Sequence, residues 1–523
     1  MLDFSKLTTP AGHGDVLVLP APPECVPAVR ANAQALRSAK TPLLDATLGD
    51  WRRRTREAVV GCDDRPIIVT GHQPAFIHPG VWTKHIVSMR LAHALGGIAL
   101  NLVVDNDAPQ GTALAVPTVE NSRVGLRSVR YAALPAGLTY EQLARLTPED
   151  VARFDWAIRD AMGDRYETSQ MPVFIQALAD AANIGDGVDQ SVAARRAVEA
   201  RLGVSVDDRR VSRMWWSPLL LDMLRRAERF SCSYNAALAW YRKEFRVRGH
   251  QRPIPDLAVR GTEWELPVWA YRGGEPRRRL FVAPQGSTVR LLADREEIGV
   301  FAMDDLRAFD ELISPLAGPG PWRLRPRALT LTIWARLFLA DLFIHGIGGA
   351  KYDRISDAII ADYYGLAPPE MACVSATLLL DLPRSSATPG TIRSLRRSLR
   401  DLEWNPQRSL PSRLRAWPPG SELTEWVDQR EQAVRRAMEL RDTDPRNRPA
   451  RRETFLEIRD LNRRLATARS NEVADRRTEL ERAFDDLDQN RIAEGREYFF
   501  GLYHRAALEE LLAALPAQQE FRV

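Results

Sequence analysis

The chain has 523 residues, 45% hydrophobic and 27% charged, a globular composition with length enough for two to four domains and a sizeable core. Its 73 basic and 68 acidic side chains nearly cancel to a formal net charge of +5, which admits phosphate-bearing or acidic ligands without requiring nucleic acid. Four cysteines (Cys25, Cys62, Cys232, Cys373) stand too far apart for a CxxC pair, which excludes a zinc ribbon or dithiol motif and points to a reducing cytoplasm.

The N-terminal MLDFSKLTTPAGHGD lacks the positive-then-apolar pattern of a signal segment, and the DVLVLP that follows reads as a short strand. A helical stretch is expected over residues 26–48, then a basic WRRRTREAVV that reads as a solvated helix face or a phosphate contact. The β-branched run at 66–70 is too short for a helix and ends at Gly71, as a buried strand would. Prolines 74 and 79 and Gly80 keep the next loop irregular, and a helix runs from near Val81 to Leu95, stopped by Gly96-Gly97. Trp82, Ile86, Met89 and His93 fall on one helical face. Residues 98–104 give a second strand, closed by Asp105-Asn106-Asp107. This strand–helix–strand unit opens a parallel sheet, and such sheets bind ligands beyond the carboxyl ends of their strands.

Between 110 and 320 lie strand-like and helical pieces, with ELPVWAYRGGEPRRRLFVAP forming a hairpin that turns at Gly273-Gly274. Residues 328–344 are apolar but interrupted by Arg336 and Asp341, which suits a long buried helix better than a membrane span. A glycine-rich turn, HGIGGAKYD, and a second helix follow. From about residue 391 the chain turns rich in Arg, Glu, Leu and Ala, with a break at 444–449. Phe455, Ile458, Leu461 and Leu465, then Leu480, Phe484 and Leu487, mark two long helices in an antiparallel coiled coil. The tail REYFFGLYHRAALEELLAALP supplies a last amphipathic helix that returns to the core.

The candidate site follows from these placements. Gly71 permits a tight turn, and His72 and Gln73 stand above the sheet. Lys84 falls in the first turn of the next helix, where a cation is unfavourable unless an anion is bound. The alternative reading of this loop is that His78 and His85 are satisfied structural residues and Lys84 points to water. Two acids one residue apart diverge, so only one of Asp105 and Asp107 faces the crevice; general-base work or the binding of amines and hydroxyls is their candidate role. His345, Gly346, Gly348, Gly349 and Tyr352 of the second glycine-rich segment complete the cleft, though no GKT or GKS makes it a phosphate loop. The histidine spacings are not of the HExxH type, and no metal is assigned.

The bacillithiol-biosynthesis cysteine-adding enzymes carry a Thr-Gly-Gln-Gln loop, a glycine-proline segment and a helical lysine, and this chain resembles them. Thr70, Gly71, Gln73, Gly80 and Lys84 match, with His72 at the first glutamine, and Asp105 and Asp107 match the aspartates of the family's acidic motif, with Asn106 at its histidine. Leu324-Arg325-Pro326, Gly346, Gly348, Gly349 and the segment at 375–378 resemble further family motifs. The resemblance implies an α/β fold with a Rossmann-like parallel-sheet core of the class I synthetase and nucleotidylyltransferase type, with insertions and a C-terminal antiparallel coiled coil. Its parts would be residues 1–135 and 321–390 as core halves, 136–320 as a connecting insertion, 391–492 as the arm and 493–523 as the returning helix.

The implied activity is a carbon–nitrogen ligase joining an amino acid, cysteine in the family, to the amine of a sugar-type acceptor, with ATP or ADP the candidate cofactor. His72, Asp105 and Asp107 take the catalytic roles. Gly71, Gln73, Lys84, Asn106, His345, Gly346, Gly348, Gly349 and Tyr352 bind substrate. A homodimer forms through the coiled coil, in the cytoplasm, without membrane or nucleic acid. The alternatives are a nucleotidylyltransferase-like enzyme and a non-catalytic coiled-coil dimer that binds nucleotide or RNA, the latter motivated by basic runs such as RSLRRSLR.

Overall fold

Six strands build the main sheet: β1 (Val16–Leu19), β2 (Ile67–His72), β3 (Ile98–Val103), β4 (Asp207–Arg210), β5 (Leu342–His345) and β6 (Met371–Ala376). Their spatial order is β1-β6-β5-β2-β3-β4. The last five run parallel, and β1 closes one edge antiparallel to β6. This is a computed structural model, which describes residues 4–521 apart from 75, 110, 250–253, 316–319, 406–407 and 409–420. The chain divides into two units, one of Met1–Thr118, Leu126–Leu380 and Gly495–Val523, the other of Val119–Gly125 and Asp381–Glu494. The first is a mixed α/β core with a largely parallel sheet, the second a helical bundle.

In the first unit, α1 (Pro22–Arg37) ends well short of the expected residue 48. Pro42 disfavours helix at Thr41, and a small hairpin (Pro42–Leu43 with Ala46–Thr47) turns the chain into α2 (Leu48–Val60), capped by Thr47 and Asp50. The solvated-face reading of the basic segment holds for Arg53 and Arg54, which are exposed, but not for its other two arginines. Arg52 and Arg56 are fully buried and share Asp341, at 2.7 and 3.0 Å. The second-crossover helix α3 (Pro79–Leu95) starts two residues earlier than expected, because Pro79 occupies the first helical position and His78 Nδ1 accepts from Gly80 N at 3.1 Å. Lys84 therefore lies in the second turn. The helix stops at Gly96, whose φ of +63° lies in the left-handed region that favours glycine. Trp82 and Ile86 are buried as expected, but His93 is exposed, and residues 83–88 are buried on every side.

The apolar run at 328–344 is not one helix. It forms a short helix (Ala328–Trp334), a π-turn (Ala335–Leu339) and then strand β5. A strand covered on both faces lacks the alternation that marks a half-exposed one, so its sequence does not separate it from a buried helix. The two charges in the run are satisfied internally, Arg336 by Asp353 and Asp357, Asp341 by Arg52 and Arg56. A second, antiparallel sheet contains the expected hairpin: Glu263–Tyr271 pairs with Arg278–Gln285, with Gly274 at φ +80° in the turn. Strand Arg323–Pro326 lies on the other side of Glu263–Tyr271. Near the C-terminus, Arg90 of α3 donates to the carbonyls of Leu512, Leu515 and Pro516 around helix Arg505–Ala514.

The second unit holds four described helices rather than two: Pro389–Trp404, Glu422–Thr443, Arg448–Ala468 and Ser470–Ala493. The break at 444–447 joins the middle pair. Leu461 and Leu465 of the expected stripe are buried and Ile458 is half-buried, but Phe455 is 61% exposed and Thr454 takes the buried position in its turn. Among the described residues, no helix is long and apolar enough to cross a membrane.

Candidate functional site

Strand order sets the place of the crevice. From β2 the chain proceeds outward to β3 and β4, and then returns to build β5 and β6 on the opposite side. The carboxyl ends of β2 and β5 are therefore the point where the winding reverses, which is where open α/β sheets bind ligands. Thr70 sits opposite Ile344 and its hydroxyl donates to the Ile344 carbonyl at 3.0 Å. Beyond that rung emerge Gly71-His72 from one strand and His345-Gly346 from the other.

Gly71 is favoured by contact rather than by dihedral angle: a Cβ there would sit tightly, 3.2 Å from the Leu102 carbonyl and 3.3 Å from the Leu102 Cβ. The Gly71 carbonyl accepts from Lys84 Nζ at 2.7 Å. Lys84 is only 4% exposed, and among the described residues no carboxylate lies within ion-pair distance of it. Burial pushes its ammonium down to about 8, with the neighbouring Cys373 thiol acting the other way. Burial likewise pushes the Cys373 thiol up to about 12, against the pull of Lys84, so this cysteine is a neutral packing residue rather than a nucleophile.

His72 is held down to about 3 by burial and then by the charge of Lys84. Its imidazole stays neutral at physiological pH, with Nδ1 3.1 Å from the Gln73 carbonyl, so it can accept or donate one hydrogen bond but is a weak base. His78 caps α3, in keeping with its structural reading.

The acidic loop diverges as its spacing requires, but not with both acids available. Asp105 is fully buried beneath the loop, where it accepts from Arg210 Nε at 2.7 Å and from Ser212 N at 2.8 Å, and it also binds the Ser212 hydroxyl. A carboxylate so occupied cannot orient a substrate amine, and its assigned catalytic role falls. Asn106 is also buried; its Nδ2 donates to the Pro326 carbonyl at 2.7 Å, which ties the loop to the second sheet, while its Oδ1 has no partner. Asp107 alone turns toward the crevice, accepting from Gln73 Nε2 and from Arg277 at 2.5 Å.

The second loop is similarly mixed. His345 Nε2 lies 3.0 Å from Asp353 Oδ2, and Arg336 reaches the same carboxylate at 2.6 Å. Burial pushes the Asp353 carboxyl up, but Arg336 and His345 outweigh it and hold it well below the ordinary range. His345 is thus anchored, and Gly349 makes room for it, since a Cβ there would lie 2.7 Å from His345 Nδ1. Gly346 and Gly348 face open space, and Tyr352 is exposed.

Sequence reasoning passed over a cavity of about 150 Å³ on the β2–β3 side, lined by His72, Gln73, His85, Asn101, Tyr131 and Phe499 among others. His85, read from sequence as a satisfied structural residue, is satisfied on one side only. Nδ1 meets Glu199 Oε1 at 2.6 Å, while Nε2 has no partner. Glu199 lies 114 positions along the chain and no local pattern links the two. Among the described residues, no three His, Cys, Asp or Glu side chains are grouped to hold a metal ion. Comparison with protein-family models and with curated proteins finds no match to this chain.

Proposed function

We propose that this protein is a carbon–nitrogen ligase of small-molecule metabolism, joining the carboxyl group of an amino acid to the amine of a sugar-type acceptor. The observation that carries the reading is the strand order. Counted along the chain, the five parallel strands stand as 3-2-1-4-5, the doubly wound order of Rossmann-like nucleotide folds, with the Thr70–Gln73 and His345–Gly349 segments at its switch point. The likeness of Thr70, Gly71, Gln73, Gly80 and Lys84 to the cysteine-adding enzymes supports the reaction class.

In this reading Lys84, a buried cation with a neutral partner, gains its counter-ion from the substrate carboxylate or a phosphate. His72 supplies a neutral hydrogen bond, and Gln73 is set in orientation by Asp107. ATP or ADP is the candidate cofactor. Lys84 fits its phosphates by charge, and Gly346 and Gly348 leave open backbone beside them. When bound, ATP would supply activation of the carboxyl group.

The test is mass spectrometry of reactions containing the purified chain, ATP, each proteinogenic amino acid and an aminosugar. The expected product has the summed mass less one water and appears with cysteine above other amino acids. A product carrying a nucleotide, with pyrophosphate released, would replace this reading by the nucleotidylyltransferase one, which the same strand order favours.

A further inference from the structure

The cavity beside β3 is built for a ligand of its own. Its walls are aromatic: Phe76, Tyr131, Tyr140, Phe174 and Phe499 line it, and Phe76 packs edge-on against Tyr131 and Phe499 at centroid distances of 5.0 and 5.1 Å. At about 150 Å³ it has the size that accommodates a single six-membered ring. Two deeply buried polar atoms among its lining residues lack any partner, His85 Nε2 and Asn101 Oδ1, on side chains 1% and 3% exposed. An unmet buried polar atom costs more than a made hydrogen bond contributes, so two in one lining point to a missing partner.

Both atoms are acceptors. Asn101 Nδ2 donates to Asp208 Oδ1 at 2.7 Å, which fixes the amide so that its oxygen is the free end. The 2.6 Å contact with the Glu199 carboxylate assigns the proton to His85 Nδ1, which Arg195 Nη1 also approaches at 3.1 Å, and in that tautomer Nε2 presents an unmet lone pair. Arg195 pairs with Glu199 and Asp208, at 2.9 and 2.5 Å, and Arg196 pairs with Asp208 at 2.5 Å, so two cations balance the two surrounding carboxylates. The Tyr131 hydroxyl is likewise spent on Ser191, whose own hydroxyl donates to the Gly187 carbonyl at 2.6 Å, and a phenol oxygen so placed keeps an accepting lone pair.

We propose that this cavity binds a ring-sized, uncharged compound bearing an amine or hydroxyl group, which donates to His85 Nε2 and Asn101 Oδ1 while its ring lies among the aromatic walls. A carboxylate or phosphate is disfavoured, because it would bring further acceptors to His85 Nε2 and Asn101 Oδ1, and Arg195, the cation of the lining, is already paired with Glu199 and Asp208. That this compound is the amine-bearing end of the acceptor rests on the ligase reading; the binding site does not.

The test is calorimetric titration of the full chain with phenol, aniline, toluene and benzoate. Phenol and aniline are expected to bind saturably with one site per chain. Toluene, equal in size but without a donor, should bind about tenfold more weakly, the worth of one hydrogen bond, and benzoate not at all. His85→Gln should weaken phenol by a similar factor. Val192→Phe, which fills the cavity without touching its polar groups, should abolish binding while leaving the melting transition in place. Equal affinity for phenol and toluene, unchanged phenol binding in V192F, or no saturable binding would overturn the site. Phenol binding together with failure to form any amide would overturn the ligase reading alone.

Discussion

Replacing Lys84 by methionine should make the unliganded protein more stable at neutral pH, not less. In the unfolded chain the ammonium has its ordinary value of 10.5; in the folded chain burial lowers it to about 8. At pH 7 the folded protein therefore holds a cation in a place that prefers the neutral amine. A shift of that size corresponds to roughly 3 kcal/mol of lost stability. The sign follows from proton uptake: the unfolded state binds more protons, so stability rises with pH. The penalty is complete below about pH 8 and fades between 8 and 10.5. Lys84→Met removes the penalty but also the hydrogen bond to the Gly71 carbonyl, worth about 1 kcal/mol, for a net gain of roughly 2 kcal/mol. Urea unfolding of both proteins at pH 7 and pH 9.5 isolates the effect, because every other titrating group is common to the pair. The native protein should gain on the variant by about 2 kcal/mol across that interval. A gap that is constant with pH, or a variant that is less stable at pH 7, would refute the reasoning. Phosphate or acetate at millimolar concentration should stabilise the native protein and leave the variant unchanged.

Asp341→Asn should be severe, since it strands the buried Arg52 and Arg56 guanidiniums and weakens the acceptor of Ile67 N at the start of β2. Loss of one member of such a buried group costs about 3–5 kcal/mol, measurable as a shift of the first urea transition; replacing both arginines by methionine alongside it should recover much of the loss. Phe455→Glu tests the dimer expected of the helical unit. Met438, Phe455 and Leu456 are all at least half exposed there, so light scattering should show the parent as a dimer and the variant as a monomer with helical content intact.

What could be read from the sequence divides along a physical line. The β2–α3–β3 unit was legible because its signals are local: a β-branched run at Ile67–Val69, an αL glycine at Gly96, and two acids whose one-residue spacing forces them apart. Asp107 does turn to Gln73 and Asp105 away. Which of the two would be occupied was not legible, because Arg210 comes to Asp105 from 105 positions later. Separations of 114, 289 and 285 positions likewise hide Glu199 behind His85 and Asp341 beneath Arg52 and Arg56. β5 was hidden for another reason. Buried on both faces, Leu342–His345 has no alternation to show, and the apolar helix and π-turn before it extend the run to helical length.

The polar groups around the sheet then differ in kind according to which end they occupy. At the amino end of β5, Asp341 accepts from two guanidiniums and a backbone amide, and Arg52 and Arg56 are further bonded to the carbonyls of Leu337, Ala340 and Leu339. Arg52 Nε is left without a partner, but both guanidinium charges are paired, and a network bonded in this way fixes packing. Toward the carboxyl end, Lys84 has a single neutral carbonyl for company, and His85 Nε2 and Asn101 Oδ1 have none. Groups left open in this way are costly to a fold that gains nothing from them. The place of Lys84, beside the carbonyl of Gly71 where the winding reverses, is the physical reason to look for the chemistry there, whereas Asp105 is held by Arg210 and Ser212 and His345 by Asp353.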